Sequence, residues 1–150
     1  MRRALLVCLL GCSQSSSTPA PQQKPVATEV VAAQAATAQA IAAQIERGKQ
    51  LFAAQCAECH GAAGQGTDDG PPLVGAGVLP LEPRAGSKRE VKFRTAGDVY
   101  VFAMQNMPAD DPASLTAAEY LAIVAFAISA NGGTIDVPID AEQAQAFVLY

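Results

Sequence analysis

The sequence predicts a small all-α domain behind an N-terminal tether, and helix signals in three places support this prediction. Three residues recur every four positions and therefore share one helix face: Gly48, Phe52 and Cys56. Two threonines are followed three positions later by an acidic residue, the spacing of an N-terminal helix cap: Thr95 with Asp98 and Thr116 with Glu119. A chain of 150 residues has room for one core and not for two.

Composition and charge exclude several classes of protein. The chain carries 10 basic and 14 acidic side chains, a net charge of −4, which argues against nucleic acid as its main partner. No apolar run reaches the roughly 20 residues of a spanning helix, so a multi-span membrane protein is excluded. Because the chain has one His, it cannot supply a site that needs two imidazoles.

The first twelve residues read as a targeting segment. A basic pair, a short apolar stretch and the run Leu9-Leu10-Gly11-Cys12 resemble a bacterial lipoprotein signal. The resemblance implies that residues 1–11 are removed as a signal peptide and that Cys12 becomes lipidated. The protein would then be anchored on the periplasmic side of a bacterial membrane. An ordinary cleaved secretory signal is the alternative.

Residues 12–45 connect this anchor to the domain predicted over residues 46–150. Their first part is rich in Ser, Pro, Gln and Thr, a composition typical of a solvated tether. Their second part is rich in Ala and Gln, which have high helix propensity. Two interpretations stay open: a helical spacer from Glu29 to Gln55, or a linker in which the helix begins only near Gln44.

The run Cys56-Ala57-Glu58-Cys59-His60 is the main chemical signal. Two thiols two residues apart, followed directly by a His, suit covalent attachment of one haem c with the imidazole beneath the iron. A structural zinc site would need a fourth ligand from a second pair, and a thioredoxin-like pair would need a βαβ pattern. A plain disulfide would leave His60 unexplained. We therefore expect Cys56 and Cys59 to hold haem and His60 to bind iron.

Further along the chain, Gly70-Pro71-Pro72-Leu73-Val74-Gly75, Met107-Pro108 and the last helix complete a family pattern. With them, residues from about 45 to 131 resemble the class I c-type cytochromes. The resemblance implies their small fold, with helices packed around one covalently bound haem. It also implies that the Pro71 carbonyl accepts from the haem His and that Met107 is the second axial ligand. The chain has no Trp, so Tyr100 or Arg94 is the candidate donor to a haem propionate.

Met104 and Met107 can be separated on physical grounds. Pro108 disfavours helical geometry at the residue before it, so Met107 should leave the helix in an extended conformation. Met104 should stay within the helix as core filler. Met107 is therefore the expected ligand.

Segments outside the haem motifs carry further structural signals. An interior Gly weakens a helix, so Gly48 predicts that another helix crosses closely there, with Phe52 packing beneath the crossing. The apolar run from Tyr120 to Ile128 predicts a buried helix, with Phe126 as the partner of the face that carries Gly48 and Phe52. Residues 134–150 should form a short extended or turn segment and one helical turn, without assigned function. Five basic residues lie close together in the sequence: Arg84, Lys88, Arg89, Lys92 and Arg94. This basic run indicates either a solvated loop or a surface that pairs with haem propionates or docks an acidic partner.

These expectations describe a single-electron carrier and not an enzyme. It would pass electrons between a redox protein donor and a redox protein acceptor while attached to the membrane by its lipid. One alternative is a haem subunit of a larger oxidase, quinol-oxidising or dehydrogenase complex. The other is a haem-based gas or redox sensor in which Met107 does not bind iron.

Overall fold

The computed structural model describes residues 26–75, 82–83 and 89–149. Its five helices, in chain order, are α1 (Val26–Gln55), α2 (Ala57–His60), α3 (Ala96–Asn106), α4 (Ala117–Ala130) and α5 (Ala141–Ala146). The predicted all-α class is confirmed. The signal peptide, the lipidation site Cys12 and most of the tether lie outside the described residues, as do two members of the basic run, Arg84 and Lys88.

Helix α1 is the longer of the two alternatives that the sequence left open, and it begins at Val26. Its N-terminal half is exposed: Val30 and Val31 keep 49% and 64% of their surface. High helix propensity, and not burial, therefore accounts for this half. Among the described residues, no helix combines the length and the apolarity needed to cross a membrane.

The C-terminal half of α1 crosses α4 at very short range. A Cβ built on Gly48 would lie 1.9 Å from the carbonyl oxygen of Ala122, so only Gly fits there. One turn later, the rings of Phe52 and Phe126 pack with their centroids 5.3 Å apart. Both contacts were predicted from the helical stripe and are confirmed.

Helix α4 supplies most of the core. Its start has both hydrogen bonds of the predicted capping box between Thr116 and Glu119. Six of its side chains are buried, in agreement with the apolar run: Tyr120, Leu121, Ala122, Val124, Ala125 and Ile128. It ends at Ala130 with Asn131 as its C-cap, and Gly132 then adopts the positive φ of 83° that favours Gly.

The C-terminal segment completes this core. Ile139 and Ala144 are buried, and the Gln44 amide of α1 binds the backbone of Ile139 at 2.7 and 2.8 Å. The N–H of Ala96 at the start of α3 donates to the Phe147 carbonyl at 2.9 Å. The predicted turn and short helix are present, and they bind α1 to α3.

Candidate haem site

The Cys-x-x-Cys-His run forms the junction of α1 and α2. Cys56 interrupts the helix, yet its N–H donates to Phe52 O and its carbonyl accepts from His60 N–H, each at 2.9 Å. The two cysteines are free thiols, Cys56 half-buried and Cys59 exposed. Burial, with a smaller repulsion from Cys59, raises the pKa of the Cys56 thiol to about 11. Two free thiols and an imidazole therefore follow one another on a single helical turn.

His60 is 7% exposed, and one ring nitrogen is already engaged. Its Nδ1 lies 2.7 Å from the Pro71 carbonyl oxygen, which can only accept, so Nδ1 carries the proton. Nε2 has no hydrogen-bond partner among the described residues. Since no fully buried side-chain nitrogen or oxygen in those residues lacks a partner, Nε2 keeps access to solvent. An accessible imidazole nitrogen beside two free thiols is the donor set that haem c requires, so these residues fit the group.

Backbone hydrogen bonds within residues 60–75 hold the loop that follows His60. Gly66 N–H donates to His60 O at 2.7 Å, and the N–H groups of Leu73 and Val74 both donate to Gly64 O, at 2.7 and 2.9 Å. A Cβ on Gly70 would lie 2.7 Å from the carbonyl oxygen of Cys59. Gly70 is therefore needed for this close backbone approach.

Asn131 holds this loop against α4, a role that sequence reasoning missed. Its side-chain amide donates to Leu73 O at 2.8 Å and accepts from Gly75 N–H at 3.0 Å. The sequence showed only a helix stop followed by two glycines. An Asn at a helix end was a signal for side-chain capping, but the sequence did not identify the loop as its partner.

Met107 lies where α3 ends. Its backbone is extended, with φ −132° and ψ 147°, so the predicted exit from the helix is confirmed. Its N–H donates to Ala103 O at 2.8 Å, and its carbonyl accepts from the Tyr120 hydroxyl at 2.6 Å. Met104 stays inside α3. Both methionines are half-buried, so backbone conformation, and not burial, distinguishes them.

The described part of the basic run makes contacts within its own segment. Lys92 and Arg94 each form an ion pair with Glu82 at 3.0 Å, and these hydrogen bonds hold the pKa of Glu82 below its usual value. Arg89 is 7% exposed and lies 3.8 Å over the Phe93 ring. The interpretation as a solvated loop is therefore wrong at Arg89, whose guanidinium forms part of the packing.

Comparison with known proteins agrees with this geometry. Helices that place a Cys-x-x-Cys-His turn beside a Pro carbonyl define the class of c-type cytochromes. The family described as Cytochrome c matches residues 45–129, and the chain belongs to this family. Membership implies covalent haem c and a role in electron transfer that is not itself catalytic.

One solved structure similar to this chain is that of the sulfane dehydrogenase SoxCD from Paracoccus pantotrophus. The match has a TM-score of 0.54 and 28% sequence identity, and it covers 69% of this chain. The chain spans about half, 52%, of the length of that protein chain. A search of curated proteins found no significant match.

Proposed function

We propose that the protein is a single-electron carrier with one haem c, attached through Cys56 and Cys59 and ligated by His60 and Met107. The observation that supports this most directly is the His60 ring, whose Nδ1 is bound to Pro71 O at 2.7 Å. Haem supplies a one-electron iron couple when bound, and Met ligation raises its potential. Two protein ligands leave no iron position for a substrate, so the residues favour a carrier.

The supporting residues hold the two ligands in fixed positions. The Pro71 carbonyl fixes the tautomer and orientation of His60. It also makes Nε2 a stronger electron-pair donor towards iron. On the other side, Met107 is held at both its N–H and its carbonyl. Ligands on rigid supports keep one geometry in both oxidation states, which favours rapid electron transfer.

Helix α4 connects the two supports. Tyr120, near its N-terminal end, binds the Met107 carbonyl, and Asn131, at its C-terminal end, binds the loop that carries Pro71. Eleven residues separate these two positions, which corresponds to about 16 Å along a helix. One helix therefore sets the spacing between the predicted proximal and distal sides of the site.

The attachment is tested by maturing the protein in a periplasm that assembles c-type cytochromes. We expect a red protein that keeps its haem through acid-acetone extraction, with one haem per chain by pyridine haemochrome and protein assay. Cys56→Ser and Cys59→Ser should each weaken or abolish retention, whereas Cys12→Ser should not. Colourless protein, or haem extracted from the wild type, would refute the proposal.

A second candidate is a haem subunit of a dehydrogenase complex. It is supported by the 28% identity to a chain of SoxCD, whose name describes a dehydrogenase. Native purification in mild detergent distinguishes the two candidates. A carrier elutes alone, whereas a subunit elutes with other polypeptides and a dehydrogenase activity.

We also propose a lipid anchor at Cys12 on the periplasmic side of the membrane. The exposed start of α1 supports a spacer role, since residues 26–40 contribute roughly 20 Å of helix between the anchor and the domain. Each buried methylene of an acyl chain contributes about 0.8 kcal/mol, so a salt wash should not release the protein. Cys12→Ser should release exported protein into the soluble fraction; a variant that stays bound as firmly as wild type contradicts the anchor.

A further inference from the structure

The Tyr120 hydroxyl makes a contact at the proposed site that electron transfer does not by itself require. Tyr120 is 2% exposed, so it is anchored in the core along its whole ring. Its hydroxyl donates to the Met107 carbonyl at 2.6 Å, a short bond for this type. The Tyr therefore binds the backbone of the residue whose side chain is the proposed distal ligand.

Tyr120 is itself held firmly. Its N–H donates to Thr116 O at 3.1 Å within the capped first turn of α4. Glu119, in the same turn, forms an ion pair with Arg47 of α1 at 2.9 Å. The turn of α4 that carries Tyr120 thus contacts α1, the helix that leads directly into Cys56.

Met107 needs such an anchor because it lies beyond the end of α3. Its N–H is bound to the last turn of the helix, but the extended backbone turns its carbonyl away from the helical ladder. Without a partner this carbonyl would be free to rotate, and the side chain would move with it. The Tyr120 hydroxyl supplies the second fixed point.

We propose that Tyr120 is a positioning residue that holds the Met107 thioether in place as the distal ligand. This inference rests on the proposed function, since it takes Met107 to bind iron. It predicts that loss of the hydroxyl loosens the ligand while the fold and the attached haem remain.

The test uses Tyr120→Phe in the mature haem protein, with Gln44→Leu as the control. The half-buried Gln44 amide binds the Ile139 backbone at 2.7 and 2.8 Å, so this control also loses side-chain hydrogen bonds. Gln44 lies twelve positions before Cys56, about 18 Å along a helix, so its loss should not reach the iron ligands directly. The measured quantity is the affinity of the ferric protein for added imidazole, which competes with Met107. We expect Tyr120→Phe to raise it about fivefold to tenfold, the factor that loss of one buried hydrogen bond brings. Gln44→Leu should leave it unchanged.

A structural role alone would lower the urea midpoint of Tyr120→Phe and leave imidazole affinity at the wild-type value, which would overturn the inference. A second arm places Tyr120→Phe in a Met107→Ala background, where no thioether remains to be held. There the Tyr change should have no effect on imidazole affinity; a persistent effect would also overturn the inference. If Met107→Ala itself leaves imidazole affinity unchanged, the proposed ligation fails. If Met107→Ala raises the affinity and Tyr120→Phe does not, only the positioning role fails.

Discussion

Replacing Gly48 with Ala should destabilise the protein, although the same change stabilises an exposed helix. The new Cβ would lie 1.9 Å from Ala122 O and 2.4 Å from Ala122 C, both backbone atoms that cannot rotate away. Ordinary contact begins near 3.4 Å, so α1 and α4 must separate by about 1.5 Å. That separation opens the contact between the rings of Phe52 and Phe126.

The magnitude follows from two opposing effects. Overpacking and the opened gap lower the free energy of unfolding by about 3 to 5 kcal/mol. The higher helix propensity of Ala raises it by about 1 kcal/mol. We expect a net loss of about 2 to 4 kcal/mol in the free energy of unfolding, which lowers the urea midpoint by about 1 to 2 M.

Urea titration of the haem-loaded protein, followed by circular dichroism at 222 nm, measures this loss directly. Lys49→Ala is the control, because Lys49 is exposed on the same helix and should change stability by less than about 0.5 kcal/mol. Stabilisation of Gly48→Ala by about 1 kcal/mol would refute the reasoning, because it would mean that α4 does not cross at this Gly.

Three further predictions concern stability. Hydrogen bonds from the backbone N–H groups of Thr95 and Arg94 lower the pKa of the Asp98 carboxyl below 3.8. The ionised Asp98 therefore stabilises the folded protein above the ordinary carboxyl pKa, and this stability is lost as pH falls through the lowered pKa. Asp98→Asn should therefore reduce the urea midpoint at pH 6, and the difference from wild type should shrink towards pH 2. Asn131→Ala should lower the free energy of unfolding by about 1 to 3 kcal/mol and speed amide exchange in the loop after His60. Asn106→Ala loses only a hydrogen bond within its own helix and should lower the free energy of unfolding by less. Ile139→Ala should lower the free energy of unfolding, measured by urea titration, by about 2 to 5 kcal/mol, because Ile139 is buried. The control Val137→Ala, at an exposed position, should lower it by less than about 0.5 kcal/mol.

The sequence predicted the helices well where one physical rule dominated. Capping spacing located the starts of α3 and α4, and Pro108 correctly predicted the extended backbone at Met107. Gly48 indicated a close helix crossing, because an interior Gly otherwise weakens a helix. Each of these is a local signal, read within a few residues of the element concerned.

Long-range contacts of polar side chains could not be predicted in the same way. Asn131 binds a loop 58 positions away and Gln44 binds a segment 95 positions away. Neither side chain differs in the sequence from one that faces water. The burial of Arg89 depends on Phe93 and was equally hidden within a charged run.

The central claim is that His60 and Met107 together bind the iron of a covalently attached haem. The absorption spectrum of the oxidised protein tests it most directly, through the weak thioether-to-iron charge-transfer band at the red end. We predict that the wild type and Met104→Ala show this band. Met107→Ala should lack the band and should bind carbon monoxide when its haem is reduced. Loss of the band in Met104→Ala with its retention in Met107→Ala would contradict the account, as would a wild type that has no band and binds carbon monoxide.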